Sequence, residues 1–331
     1  MRILVIGAGA LGGYFGARLL AAGRDVTFLV RPGRAEALRK NGLEVKSRAG
    51  DLKLASPPTA TSDRLEGHYD LILLSCKAYD LDDAIRSFAP AVGSNTVIIP
   101  FLNGLRHIDV LNARFGKEKV FGGQCAISAA LSANGEILHL VDLHTLSFGE
   151  QDGKRSKRRD EVVEALTGAN FDAEVSDDIM QSMWEKWVFI ATAAGTTCLM
   201  RSSIGDIVAA GASGLVVKFL DECSRIATTA GHAPRPAYLE RTRPLLTAPG
   251  SPLMASMLRD IEKGSRTEGD HVLGDLLARA SAGESPILLN AAYAHVKSYE
   301  ARRERENPAS GRRGDRTGFA VKGNRFERPI G

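Results

Sequence analysis

The feature that most constrains the fold of this chain is a glycine-rich segment directly after its first apolar run. Residues 7–12 read Gly-Ala-Gly-Ala-Leu-Gly, a G-x-G-x-x-G pattern. They follow the β-branched run Arg2–Ile6 and lead into Leu11–Ala22, which has helical spacing. A strand, a glycine turn and a helix in this order are the context in which the pattern binds a dinucleotide. The alternative is a glycine-rich turn without a ligand.

Each glycine of this segment has its own physical role. Gly7 permits the tight turn, Gly9 lets the backbone approach a pyrophosphate, and Gly12 lets the helix contact the strand. The helix N-terminus then faces the anion. We therefore predict that the whole segment binds the cofactor: Gly7, Ala8, Gly9, Ala10, Leu11 and Gly12.

The end of the second predicted strand, Val26–Val30, indicates which dinucleotide is bound. An NAD site usually has Asp or Glu here to bind the ribose hydroxyls. This chain has Arg31 instead, and a guanidinium suits the 2′-phosphate of NADP through charge-assisted hydrogen bonds. We predict NADP(H) as the cofactor, with Arg31 on the 2′-phosphate and Arg34 assisting. A solvated arginine in a turn is the alternative.

Continuous apolar strands alternate with helical segments over the first 150 residues. Asp70–Ser75 and Thr96–Phe101 are two of these strands, and Val120–Ser128, Ile137–Val141 and Leu146–Phe148 are predicted to close the sheet. Such strands predict a parallel sheet covered on both faces. After residue 178 almost every segment has helical period. The predicted fold class is an α/β Rossmann-like doubly wound N-terminal domain plus an all-α C-terminal domain.

Three regions follow from these changes along the chain. We expect an NADP-binding Rossmann-like domain over residues 1–177, a helical substrate and catalytic domain over 178–302, and a basic, flexible tail over 303–331. Residues 301–331 carry nine basic and four acidic side chains, whereas residues 1–300 have a net charge of −1. The neutral body argues against nucleic acid as a partner.

The composition also excludes several classes of protein. The longest uncharged apolar run, near Trp187–Met200, has about 14 residues and is too short to span a bilayer. The four cysteines lie far apart without a CxxC pair, which predicts free thiols in a reducing cytoplasm and no metal site. Residues 1–7 lack the apolar stretch and small-residue cleavage site of a signal peptide, so we expect no targeting segment. We expect a cytoplasmic protein without a membrane partner.

Two polar residues follow strands of the predicted sheet. Lys77 comes after Asp70–Ser75, and Asn103 comes after Thr96–Phe101. Ligands of open parallel sheets bind at the carboxyl ends of the strands. Taken singly, these residues are also typical of a solvated lysine and of an Asn-Gly turn. Together they are candidates for contact with the nicotinamide or the substrate.

The helical region offers three further candidates. Lys186 begins a strongly apolar helix between Trp184 and Trp187, where it is either a snorkelling lysine or a tunable proton donor. Glu268 begins a helix predicted over 268–280 and completes the capping-box pattern Ser-Arg-Thr-Glu, so helix capping is its alternative role. Ser256 lies inside a helix predicted over 252–263.

These residues together resemble the ketopantoate reductase (2-dehydropantoate 2-reductase) family over roughly residues 1–302. Five blocks carry the resemblance: the glycine segment 7–12, Cys76-Lys77-Ala78-Tyr79, Leu102-Asn103-Gly104, Trp184-Glu185-Lys186, and Ser256-Met257-Leu258-Arg259-Asp260-Ile261 followed by Thr267-Glu268. The resemblance implies NADPH-dependent reduction of 2-dehydropantoate to pantoate, a step of pantothenate biosynthesis. The resemblance does not determine the oligomeric state, and a homodimer is one possibility.

The resemblance also implies a role for each residue. Lys186 is the general acid that protonates the carbonyl oxygen as hydride arrives, and Glu268 positions this lysine and the substrate. Ser256 contacts the substrate. Asn103 and Lys77 act where cofactor and substrate meet, so Asn103 is a candidate for binding both. Arg31 is similar to the family's ligand for the 2′-phosphate.

The chain departs from the family pattern at two positions after the catalytic lysine. Ile190 and Ala194 stand where the family has asparagines that bind substrate. A polar substrate group left unpaired costs about 1–3 kcal/mol, enough to change substrate preference tenfold. Two alternatives therefore stay open: a reductase of the same fold acting on a less polar 2-oxo acid or carbonyl compound, and a non-catalytic NADP-binding sensor.

Overall fold

A computed structural model describes residues 1–306, in which a mixed part precedes an all-helical part. The mixed part contains β1 (Arg2–Ile6), α1 (Ala10–Ala21), β2 (Asp25–Leu29), α2 (Pro32–Asn41), β3 (Leu43–Lys46), β4 (Leu52–Leu54), β5 (Thr59–Ala60), β6 (Tyr69–Leu74), α3 (Leu81–Phe88), β7 (Val92–Pro100), α4 (Arg106–Phe115), β8 (Gly122–Leu131), β9 (Ile137–Gly149), α5 (Lys157–Leu166) and β10 (Asp172–Val175). The helical part contains α6 (Ile179–Met200), α7 (Ile204–Ala209), α8 (Ser213–Thr229), α9 (Pro236–Leu246), α10 (Ser256–Glu262), α11 (Asp275–Ala278) and α12 (Ile287–Glu306).

The first sheet is parallel throughout, with strand order β5-β2-β1-β6-β7. Alternate side chains of β1 enter two different cores: Leu4 and Ile6 pack in one, and Ile3 and Val5 in the other. Both faces of the sheet are therefore buried, as continuous apolar strands require. The arrangement confirms the predicted Rossmann-like α/β domain with an all-α C-terminal part. It also places the carboxyl ends of β2, β1 and β6 side by side.

The predicted closing strands do not extend this sheet, which corrects the sequence-based topology. They form a second, mixed sheet with strand order β10-β9-β3-β4, in which β8 pairs with β9. The runs Ile137–Val141 and Leu146–Phe148 are parts of the single strand β9. The two runs look separate in the sequence because the polar residues Asp142, His144 and Thr145 lie between them. One isolated bridge, Ile98 to Val120, connects the two sheets in the described chain.

The helical part is built around α6, which packs against α8, α10 and α12. The helix predicted over 252–263 is shorter than expected, because the backbone of residues 251–253 accepts hydrogen bonds from Ile204 and Gly205 at the start of α7. The helix predicted over 268–280 begins as a π-helical segment, Asp270–Gly274, before α11.

The predicted region boundaries near residues 177 and 302 can be compared with the helices α6 and α12. The division near residue 177 stays a prediction, although α6 begins there. α12 continues to Glu306, four residues beyond the predicted end of the helical domain. The rest of the predicted basic tail, 307–331, lies outside the described residues. Within residues 1–306, every helix is too short or too polar to cross a membrane.

Close packing of α6 on α8 yields a prediction for stability. A Cβ atom at Gly195 would lie 2.1 Å from Cζ of the buried Phe219, whereas a Cβ at Gly214 meets nothing within 4 Å. Gly195→Ala should lower the free energy of unfolding by about 1–3 kcal/mol, because overpacking forces the core to shift. Gly214→Ala, the matched control, should cause no loss. Urea denaturation measures both, and equal stabilities would contradict the described packing.

Candidate active site

The glycine segment at the carboxyl end of β1 has the geometry that a dinucleotide needs. Gly7 adopts φ +91°, a conformation that favours glycine. A Cβ at Gly9 would meet nothing within 4 Å, so this face is open to a ligand, whereas a Cβ at Gly12 would lie 2.3 Å from Gly7 O. In the part of the chain that the structure describes, no side chain caps the N-terminus of α1, so its first N–H groups can reach an anion. The segment therefore fits a pyrophosphate.

Arg34 supports this segment from α2. Its guanidinium donates from Nε and Nη2 to Ala8 O, at 3.1 and 2.9 Å. Burial lowers the pKa of Arg34 relative to an exposed arginine. The side chain is thus engaged in holding the glycine loop, a role that the sequence does not indicate.

Arg31 lies at the N-terminus of α2, directly beyond β2, and its side chain is 69% exposed. Its Nη2 is 3.1 Å from Asp80 Oδ1 and 3.6 Å from Asp83 Oδ2. The charge of Asp80 raises the pKa of Arg31, so the guanidinium stays charged. Arg31 therefore has the place and charge expected of a phosphate ligand, with two carboxylates beside it.

Lys77 and Glu268 meet where the loop after β6 contacts the helical part. Lys77 Nζ lies 3.3 Å from Glu268 Oε2 and 3.4 Å from Asp260 Oδ2, and the N–H of Ala78 donates to Glu268 Oε1 at 2.9 Å. Desolvation alone would lower the pKa of Lys77, but the two carboxylates raise it above its ordinary value. The Glu268 side chain thus joins two parts of the chain, and the capping box suggested for it does not form.

Lys186 lies near the start of α6, and its amine donates to Cys125 O on β8 at 2.8 Å. The neighbouring carboxylate of Glu185 points elsewhere and is held by Arg235, whose N and Nε both donate to it at 2.8 Å. Burial alone would raise the pKa of Glu185, but the hydrogen bonds from Arg235 lower it. Within residues 1–306 Lys186 therefore has a carbonyl partner and no ion pair, and Glu268 does not contact it in this arrangement.

Asn103 is brought to the same region by a close contact of its neighbour. Gly104 adopts φ +80°, and a Cβ there would lie 2.7 Å from His271 O and 3.7 Å from Trp187 Cε2. Trp187 Nε1 also donates to Val272 O in the π-helical segment. The loop after β7, the π-helical segment and the helix that carries Lys186 thus converge, and π-helical turns are frequent at functional sites.

Ser256 is exposed at the first position of α10 rather than inside a helix, and within the described residues it contacts none of the other candidates through a hydrogen bond. The two departures from the family pattern lie along α6 from Lys186. Ile190, one turn away, is partly buried, and Ala194 is 1% exposed. The helix face beyond the lysine is therefore apolar.

Four residues near these candidates were missed by the reasoning from sequence. Asp260 contacts Lys77 and Asp80 contacts Arg31. The signal was available, because Asp260 lies inside a quoted family block and Asp80 directly follows another, but neither was given a role. His107 is fully buried, and within residues 1–306 neither of its ring nitrogens has a hydrogen-bond partner; His271 Nε2 is likewise buried without one there. No sequence pattern marks these two histidines.

Comparison with known proteins decides the family. The model of ketopantoate reductase PanE/ApbA matches residues 3–153, and the model of its C-terminal domain matches residues 178–300. The chain belongs to the ketopantoate reductase family. It is an oxidoreductase, and the family's reaction uses a nicotinamide nucleotide.

Individual relatives cover nearly the whole described chain. An uncharacterized oxidoreductase, YkpB, from Bacillus subtilis is 39% identical over 304 residues, 91% of this chain and 99% of the relative. A 2-dehydropantoate 2-reductase from Mesorhizobium japonicum is 30% identical and covers 82% of this chain and 88% of its own length. The crystal structure of 2-dehydropantoate 2-reductase from Geobacter metallireducens has a TM-score of 0.81 at 28% identity, covering 90% and 99%.

The buried His107 should make stability depend on pH. Burial and the nearby positive charges of His271, Lys186 and Arg279 lower the pKa of His107 to about 3. The folded state thus keeps this ring neutral while the unfolded chain protonates it below about pH 6.5, so stability falls as the pH falls. Between pH 7.5 and 5.5 the loss from this residue should be on the order of 1 kcal/mol.

Urea denaturation at the two pH values tests this prediction. His107→Leu should lose less stability between pH 7.5 and 5.5 than the wild type does, because it has no imidazole to protonate on unfolding. His68→Leu, at an exposed histidine, is the control and should keep the wild-type difference. A His107→Leu variant with the wild-type difference would contradict the neutral, buried state of this ring.

Proposed function

We propose that this protein catalyses the NADPH-dependent reduction of a 2-oxo acid to a 2-hydroxy acid, with 2-dehydropantoate as substrate and pantoate as product. The observation that carries the proposal is the position of Lys186, a partly buried amine with no ion pair in the described chain, beside the Asn103 loop. When bound, NADPH supplies the hydride to the carbonyl carbon. The Lys186 ammonium delivers the proton to the carbonyl oxygen, where negative charge develops.

The other candidate residues bind and orient. The glycine segment 7–12 and the N-terminus of α1 hold the pyrophosphate, and Arg31 holds the 2′-phosphate. Asn103 and Lys77 border cofactor and substrate at the carboxyl edge of the sheet, where ligands of such folds bind. Ser256 contacts the substrate. Glu268 positions Lys77 and the loop after β6, and through them the wall of the cleft.

A second candidate function is reduction of a less polar 2-oxo acid or carbonyl compound. The apolar face that Ile190 and Ala194 give to α6 favours it, because no amide there can pair with a substrate hydroxyl. A non-catalytic NADP-binding sensor is disfavoured, because such a protein needs the cofactor half of the site but not Lys186, Ser256 and Glu268.

The compartment and the partners of the enzyme are also part of what we propose. We propose a cytoplasmic enzyme whose partner is the small-molecule substrate, with neither nucleic acid nor membrane involved. Its four thiols are free, and burial raises the pKa of Cys76, Cys198 and Cys223 to about 12, which keeps them unreactive. Pantothenate synthesis is the expected role, and a homodimer is compatible with it.

The central role of Lys186 is tested by removing its amine. Lys186→Ala should reduce turnover of the 2-oxo acid by a factor of about 100 or more, because the proton donor is lost, while NADPH affinity changes little. Lys218→Ala, at an exposed lysine of α8, is the matched control and should keep full turnover. Steady-state kinetics and coenzyme fluorescence measure the two properties, and undiminished turnover in Lys186→Ala would remove this residue from the mechanism.

A further inference from the structure

The ion pair between Arg31 and Asp80 spans the coenzyme site. Arg31 follows β2, Asp80 lies in the turn after β6, and β1 with its glycine segment lies between these two strands. At 3.1 Å the two side chains therefore meet across the end of β1. NAD sites usually have a carboxylate directly after β2, where this chain has Arg31. Here the carboxylate near that position is Asp80, which comes from the turn after β6.

The other cations around this site are engaged. Arg34 is bound to Ala8 O, Lys77 to Glu268 and Asp260, and Arg86 to Asp83. Arg31 is also paired, with Asp80 and Asp83, but it stands directly after β2, where the 2′-phosphate of a bound coenzyme would lie. A 2′-phosphate must displace these carboxylates from Arg31 and then lie beside their negative charge.

We propose that Asp80 determines coenzyme specificity: its carboxylate competes with the 2′-phosphate for Arg31 and accepts the ribose hydroxyls of NAD(H), so the site admits both coenzymes. This inference rests on the proposed function, which assigns the 2′-phosphate to Arg31. Arg31 is exposed and Asp80 is half-buried, so solvent screens the pair, and the competition amounts to a factor of about three to ten in affinity rather than to exclusion. Asp80 is thus a residue that moderates the preference set by Arg31.

The test compares dissociation constants for NADPH and NADH, measured by coenzyme fluorescence, in the wild type and in Asp80→Asn. The wild type should bind the two coenzymes within about tenfold of each other. Asp80→Asn should bind NADPH about three- to tenfold more tightly and NADH more weakly, and the gain for NADPH should shrink at high salt. Asp82→Asn, an exposed neighbour without a contact to Arg31, is the matched control and should change neither constant.

Two results would separate failure of this inference from failure of the proposed function. Arg31→Ala should weaken NADPH binding much more than NADH binding. If it does so while Asp80→Asn behaves like Asp82→Asn, the role of Asp80 is overturned and the NADPH site stands. If Arg31→Ala weakens both coenzymes equally, Arg31 does not bind the 2′-phosphate, and both the proposed NADP preference and the role of Asp80 fail.

Discussion

The site depends on the bonds that Glu268 makes across the chain, because they join the sheet edge to the helical part. One carboxylate oxygen accepts from Ala78 N and the other faces Lys77, at separations of 190 and 191 residues along the sequence. The second close contact, Gly104 against His271 O, fixes the neighbouring loop to the same helical part. These two contacts bring the ends of β6 and β7 beside the helix that carries Lys186. A catalytic cleft requires this convergence of rigid elements.

Some charged side chains of the cleft are already paired with other residues of the chain, whereas others are available to a ligand. Arg235 neutralises Glu185, and Glu268 and Asp260 hold Lys77. Among the described residues Lys186 has only a carbonyl partner, and Arg31 has an ion pair that a stronger anion can displace. In the proposed function, Lys186 is the proton donor at the substrate end and Arg31 is the phosphate ligand at the adenosine end.

Local patterns predicted the parts of the fold that local physics determines. The helix predicted over Leu11–Ala22 is correct to within a residue, because helical spacing is visible in neighbouring positions of the sequence. Contacts distant in sequence were not predictable in this way: the strands β3 and β4, the partner of Glu268 and the burial of His107 all depend on tertiary structure. The extended residues before α10 were missed for the same reason, since their partners lie on α7.

The most direct test of this account is the rate of NADPH oxidation by the purified protein with 2-dehydropantoate, measured beside a panel of simpler and less polar 2-oxo acids. Turnover with 2-dehydropantoate should lie far above the rate without substrate. Turnover only with apolar 2-oxo acids would support the role of Lys186 and would mean that Ile190 and Ala194 determine substrate specificity. Bound NADPH that no 2-oxo acid oxidises would contradict the account and leave a coenzyme-binding protein without this catalysis.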